Sequence, residues 1–199
     1  MRFVNTIWAL VSLIFLIAGV AIGVYYQNEI MVWVYALLQG EPALEVTPAP
    51  SLSPETSVLE MKLLDTPLPL VFSETLDEPT IQEHLKAGAV VLPLGKTFGE
   101  KGNVVITAHS TGTTSFGDYR FAFAKLSELE VGDEFTVRTP KAIYTYRVFG
   151  TEIVWPHEVD KLPNNDRSTV TLVTCYPLWT NFKRWLTHGE LVNVSYHEP

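Results

Sequence analysis

The sequence predicts a mostly β domain, an antiparallel barrel or sandwich, joined through a linker to an N-terminal transmembrane helix. Three observations predict this arrangement. From residue 58 onward, short runs of apolar and β-branched residues alternate with Gly, Pro and Asn turn signals. An uncharged apolar run lies near the N-terminus, and a stretch rich in Pro, Ser and Thr follows it. The length of 199 residues leaves room for one domain and an anchor.

The apolar run, residues 7–26, carries no charge and is long enough for a helix to cross a hydrocarbon core of about 30 Å. Trp8, Tyr25 and Tyr26 lie near its ends, where aromatic rings favour the headgroup level. Arg2 precedes the run and favours a cytoplasmic segment 1–6 with the rest of the chain exported. The alternative is a cleaved signal peptide, but the apolar core of such a peptide is usually about 7–15 residues.

A juxtamembrane segment and linker, residues 27–57, follows the anchor. Its apolar part, 30–38, is too short to span a membrane, and 41–57 is rich in Pro, Ser and Thr with little to bury. We therefore expect a semi-extended stalk that ends where the domain, residues 58–199, begins.

Within the domain, the pattern of apolar and turn residues predicts two kinds of element. Strands are expected over 68–72, 103–109, 134–138, 143–149, 168–175 and 191–196, and short helices over 81–87 and 121–129. The strands 134–138 and 143–149 are separated by a Thr-Pro-Lys turn and are expected to form a hairpin.

Cys175 is the only cysteine of the chain and ends the strand-like stretch TLVTC, residues 171–175. Outside the cytoplasm, thiols tend to be oxidised in pairs. An unpaired cysteine in an exported domain is therefore either a packed, inert side chain or a reactive one. Taken alone, packing is the more common outcome.

Two other side chains could complete a cysteine site. His109 ends an apolar strand and precedes a loop rich in Ser, Thr and Gly, a position where sites are often built. Arg184 follows Cys175 after a turn containing Pro177 and Asn181, and it would return to the level of the cysteine if the flanking strands are neighbours. Such a set could supply a nucleophile, a proton donor and an oxyanion partner.

Other classes of function are poorly supported. The net charge of −8, the pI of about 5.1 and the lack of a basic cluster argue against a nucleic-acid partner. The chain has no Cys pair and no H-E-x-x-H motif for a metal, no Gly-rich phosphate loop in the required context, and no serine nucleophile elbow. We expect neither a metal nor a cofactor.

From Val58 to the C-terminus the chain resembles the sortases, the membrane-anchored cysteine transpeptidases of bacterial surfaces. The resemblance rests on TLVTC (171–175), on NVVITAHS (103–110) and on NFKRW (181–185), in that order and behind an N-terminal anchor. It implies a closed eight-stranded β-barrel with short helices. It also implies that Cys175 is the nucleophile, that His109 transfers protons and that Arg184 stabilises the oxyanion. Ala108 stands where many members have glycine.

The resemblance also implies a function. A sorting-signal peptide, LPxTG-like in the family, would be cleaved at its Thr–Gly bond through a thioester and passed to an amine acceptor such as a cell-wall precursor. The loop 151–167 is the candidate for substrate specificity. Residues 77–80 match the lid motif of pilus-building members only in part, which argues against a pilin-type lid. A hydrolytic cysteine peptidase and a non-enzymatic membrane-tethered β-module are the alternatives.

Overall fold

The computed structural model describes residues 56–94, 96–158 and 166–197 and, of the preceding part of the chain, Leu16 alone. The predicted cytoplasmic segment, the anchor 7–26 apart from Leu16, and the linker up to residue 55 lie outside the described residues. Among the residues that are described, no helix is long and apolar enough to cross a membrane.

The described part of the domain contains eight strands, one α-helix and two short 3-10 helices. In chain order the strands and the helix are β1 (Val58–Met61), β2 (Leu68–Phe72), α1 (Glu78–Leu85), β3 (Ala89–Val91), β4 (Gly102–Thr107), β5 (Glu134–Arg138), β6 (Ala142–Val154), β7 (Ser168–Tyr176) and β8 (Lys183–Tyr196). The 3-10 helices, Thr114–Phe116 and Leu126–Glu128, lie between β4 and β5.

The strands close into a barrel in the order β1-β2-β3-β4-β7-β8-β6-β5, with β5 pairing back onto β1. Two pairs are parallel, β2 with β3 and β4 with β7, and the other pairs are antiparallel. The expectation of a purely antiparallel sheet was therefore wrong. A parallel pair needs a crossover connection, and α1 belongs to the connection from β2 to β3.

The barrel interior is filled from alternate positions of the strands. On the paired strands β4 and β7, Val104, Ile106, Val170 and Leu172 belong to the hydrophobic core. The intervening residues of both strands therefore face outward, because side chains of a strand alternate between the two faces of the sheet. This alternation places Cys175 on the outer face.

One predicted helix and two predicted strands differ from the structure, and the short strands β1 and β3 were not predicted. The segment 121–129 forms turns and the three-residue 3-10 helix Leu126–Glu128 rather than an α-helix. Its buried residues Phe123, Leu126 and Leu129 are spaced by three, which matches a 3-10 turn. Strands β6 and β8 are also longer than predicted, since register shifts near Tyr146 and Gly150 interrupt the alternation that marks a strand in the sequence.

Helix α1 begins with a defined cap and packs on the barrel. The carboxylate of Asp77 accepts a hydrogen bond from the backbone N–H of Thr80 at 3.3 Å, and a proline occupies the first turn. Ile81 and Leu85 are buried in a cluster with Val90 of β3. This packing fixes the helix on β3, the strand that pairs with β4.

Candidate active site

Strands β7 and β8 bring the predicted nucleophile and the predicted arginine level with each other. They pair antiparallel, with Cys175 directly opposite Arg184 and Val173 directly opposite Leu186. The register of β7 and β8 thus places Arg184 level with Cys175, as expected for neighbouring strands. Cys175 is a free, half-buried thiol.

The backbone before His109 is attached to β7 by two hydrogen bonds. His109 lies two residues beyond the end of β4. The N–H of Ala108 donates to the carbonyl of Val173 at 3.2 Å, and the hydroxyl of Thr174 donates to the carbonyl of Ala108 at 2.8 Å. Ala108, which precedes His109, is thus hydrogen-bonded to the two residues that precede Cys175, Val173 and Thr174.

The histidine ring lies in a mostly apolar environment. His109 is 8% exposed, and its ring stacks on that of Phe116 with centroids 4.7 Å apart and planes 19° apart. Burial lowers the pKa of His109 below its ordinary value. Its Nε2 has no hydrogen-bond partner among the residues that the structure describes. That nitrogen is itself buried, and no bond to another described residue competes with a proton transfer there.

A single cavity of about 280 Å³ is lined by all three predicted residues, His109, Cys175 and Arg184. Its floor comes from the outer faces of β4, β7 and β8, and its walls come from α1 on one side and from the end of β6 on the other. Apolar side chains dominate the lining, among them Ile81, Leu85, Val105, Val173 and Leu186.

Charged groups at this cavity have local partners. The carboxylate of Glu78 accepts a hydrogen bond from Gln82 at 2.8 Å, and that of Glu158 accepts one from the backbone N–H of Trp155 at 2.6 Å. Arg184 donates through Nη1 to the carbonyls of Asn181 (3.1 Å) and Lys183 (3.0 Å). Within the described part of the chain, no carboxylate forms an ion pair with Arg184, so its charge is available to a developing oxyanion.

The loop expected to confer specificity is only partly a loop. Thr151–Val154 belong to β6, and residues 159–165 lie outside the described residues. Trp155, Pro156 and Glu158 line the cavity. The partial lid motif, residues 77–80, forms the start of α1, and Glu78 from it also lines the cavity.

Pattern reasoning missed Thr174 and Phe116. The Thr174 hydroxyl links β7, which carries Cys175, to the segment that carries His109, and the ring of Phe116 stacks on the imidazole of His109. A hydroxyl residue in the buried part of a strand is a signal that could have indicated Thr174, because a buried hydroxyl needs a hydrogen-bond partner. No comparable signal marks Phe116.

In the described part of the chain, no three His, Cys, Asp or Glu side chains are grouped so that they could hold a metal ion.

Comparison with known proteins agrees with the fold. Residues 64–192 match the Sortase family, described as the sortase domain. Sortase A of Bacillus anthracis is 25% identical over 128 residues, which are 64% of this chain and 55% of that protein. The match thus spans little more than half the length of this relative.

Solved structures show the same fold. The sortase A structure of Listeria monocytogenes has a TM-score of 0.58 and 22% identity, over 72% of this chain and 90% of that one. A structure of Clostridium perfringens sortase C with the C-terminal cell wall sorting motif has a TM-score of 0.56 and 29% identity, over 68% and 69% of the two chains. These matches confirm the closed eight-stranded barrel, and the match to the domain establishes that the chain belongs to the sortase family.

Proposed function

We propose that this protein cleaves a sorting-signal peptide at a Thr–Gly bond and transfers the acyl group to an amine acceptor at the cell surface. The observation that carries the proposal is that Cys175, His109 and Arg184 line one cavity, with Cys175 and Arg184 directly opposite each other. A nucleophile, a proton carrier and a cation are thus available to one bound carbonyl group.

The first half of the reaction forms a thioester. The Cys175 thiolate attacks the Thr carbonyl carbon, the C–N bond breaks, and the imidazolium of His109 protonates the leaving glycine amine. Arg184, together with a backbone N–H near Tyr176, stabilises the tetrahedral oxyanion. A guanidinium has five N–H donors, and only Nη1 of Arg184 is engaged among the described residues, so further donors are available.

The cavity suits a short peptide with apolar side chains. Val173 and Leu186 line its floor on β7 and β8, and Ile81 and Leu85 line its wall on α1, which fits the Leu and Pro of an LPxTG-like signal. The sortase C structure of Clostridium perfringens that contains a cell wall sorting motif, 29% identical to this chain, supports a peptide of this class.

In the second half, an amine resolves the thioester. A cell-wall precursor is the proposed acceptor, and neither a metal nor a cofactor takes part. The predicted anchor 7–26 would hold the enzyme as a single-pass membrane protein, with its barrel outside the cytoplasm near membrane-bound donors and acceptors.

The test is cleavage of a peptide library by the purified full-length chain, followed by mass spectrometry of the enzyme. The wild type should select one motif and carry the acyl mass on Cys175, whereas Cys175→Ala should do neither and keep the fold. Arg184→Lys keeps the charge but loses the planar set of donors, so it should acylate slowly. Acyl transfer by Cys175→Ala at the wild-type rate would refute the proposal.

Two measurements separate the alternatives. With an added amine, a transpeptidase yields the aminolysis product, whereas a hydrolytic peptidase yields only the free acid. A non-enzymatic β-module would leave Cys175 unreactive toward a thiol reagent in the folded protein.

A further inference from the structure

A second cavity lies at the same end of the barrel as Cys175. Strands β4 and β7 are parallel and both run toward the end that carries His109 and Cys175. Strand β3 is antiparallel to β4, β2 is parallel to β3, and β1 is antiparallel to β2. The connection from β1 to β2, residues 62–67, must therefore lie at this end too.

This second cavity has a volume of about 380 Å³ and lies between that connection and the segment that follows His109. Leu63 and Leu64 line it from one side, and Tyr119 and Phe121 line it from the other. It shares no lining residue with the cavity of the proposed donor peptide. The two cavities can therefore be occupied at the same time, so an acceptor can bind while the acyl group of the donor still occupies the first cavity.

The lining carries charges of both signs. Asp65, Asp118 and Lys125 line the cavity, all three are exposed, and none forms an ion pair within the described ranges. The nearby Asp133 differs, because Lys62 pairs with it at 2.7 Å. Two carboxylates and one ammonium around an apolar surface suit a small ligand that carries both an ammonium and a carboxylate.

The rim of the second cavity is joined to both segments of the proposed active site. The ring of Phe121 meets that of Trp179 edge-on, with centroids 5.9 Å apart. The backbone N–H of Trp179 donates to the hydroxyl of Thr111 at 3.0 Å. Trp179 lies four residues after Cys175 and Thr111 two residues after His109, so this rim is continuous with the segments that follow the thiol and the imidazole.

We propose that the second cavity captures the acceptor, a short peptide that carries a primary ammonium and a carboxylate, with Asp65 and Asp118 attracting the ammonium and Lys125 the carboxylate. The inference rests on the proposed transpeptidation and names its second substrate. The cavity concentrates the acceptor beside the rim of Phe121 and Trp179, and the amine crosses that rim to reach the thioester.

The transfer step balances without another reagent. The ammonium loses one proton to solvent, and the amine nitrogen attacks the acyl carbon of the thioester. The C–S bond breaks and an amide forms, with the sulfur leaving as the Cys175 thiolate. The second nitrogen proton passes to His109, whose ring is neutral because it has already protonated the leaving glycine amine.

The experiment compares three nucleophiles on the full-length enzyme, acylated with the donor peptide that the library selects. Glycylglycine carries both charges, glycylglycinamide lacks the carboxylate, and hydroxylamine is too small to need the cavity. The variants are Asp118→Asn, Asp65→Asn and Lys125→Gln. Glu100→Gln is the control, because it removes an exposed carboxylate just before β4, at the opposite end of the barrel.

Both aspartate variants should raise the half-saturating concentration of the two dipeptides by about two- to fivefold, the size expected for an exposed ion pair. Lys125→Gln should raise it for glycylglycine only. Acylation, the rate at saturating acceptor and capture by hydroxylamine should not change. Unchanged half-saturation in all three variants, or an equal loss with hydroxylamine, would overturn the assignment of this cavity.

A binding measurement separates failure of this inference from failure of the proposed function. Glycylglycine titrated into Cys175→Ala should shift the backbone NMR signals of residues 63–66 and 118–125, and Asp118→Asn should weaken these shifts. Absence of the shifts overturns the acceptor site alone. Failure of the wild type to form the thioester overturns the proposed function, and the inference with it.

Discussion

Replacing Thr174 by valine tests whether the bond between β7 and the segment of His109 aligns the active site. The two side chains have nearly the same shape, so the change removes little more than the hydroxyl that donates to the carbonyl of Ala108 at 2.8 Å. Both residues are buried, so that carbonyl loses its hydroxyl donor out of reach of water. Such a loss costs about 1–3 kcal/mol of unfolding free energy.

The same bond sets the position of His109 relative to Cys175. A displacement of about 1 Å can cost about a hundredfold in rate, so we expect Thr174→Val to slow acylation about tenfold or more. Urea denaturation gives the stability, and mass spectrometry of Cys175 over time gives the acylation rate.

Thr169 offers a matched control on the same strand. Its hydroxyl is buried as well and lies within hydrogen-bond distance of two acceptors, the carbonyl of Gly102 at 3.1 Å and Oδ1 of Asn103 at 3.2 Å, at the far end of the β4–β7 pair. Thr169→Val should lose a similar amount of stability and acylate within about twofold of the wild type. An equal loss of acylation in both variants, or an unchanged acylation rate in Thr174→Val, would refute the positioning argument.

Two further predictions follow from packing. Phe116→Ala uncovers the ring of His109, so its pKa should rise toward 6.5, which a titration of the ring protons by NMR would measure. Because the pKa of His109 is lower in the folded than in the unfolded protein, the unfolded chain binds more protons, and the wild-type free energy of unfolding should decrease as the pH falls below about 6.5. Phe116→Ala should weaken this pH dependence. An equal pH dependence in both proteins would contradict the argument. Gly189→Ala would place a methyl group 2.6 Å from the buried ring of Phe135, so urea denaturation should show a loss of about 1–3 kcal/mol. Gly150→Ala meets nothing within 4 Å and should be close to neutral, and equal losses in the two variants would argue against the packing.

The sequence identified individual strands better than their partners. All six expected strands are present, and the turn between Cys175 and Arg184 returns these residues to the same level, as expected for neighbouring strands, because a short loop leaves few geometries. The parallel pairing of β4 with β7 was not predictable in this way. Alternation shows which residues share a face, but it does not show which strand, many residues away, pairs alongside.

Side-chain contacts around the site were even less accessible to sequence reasoning. The three predicted residues line one cavity, yet their separation along the chain offers no local pattern that brings them together. The cover that Phe116 provides for His109 comes from a short 3-10 helix in an irregular segment. The second cavity likewise forms between two connections that are distant in sequence. Such contacts arise from the closure of the barrel.

The parallel pairing of β4 and β7 also determines when the site comes into existence during folding. Its two contributing segments are joined through Ala108 and Thr174, which are 66 residues apart along the chain. No fragment that ends before β7 can assemble the site, and pairing over this distance requires closing a long loop before the contacts stabilise it. Reactivity of the thiol toward a donor peptide therefore reports completed folding, and it should appear in one late step when an unfolded chain is returned to native conditions.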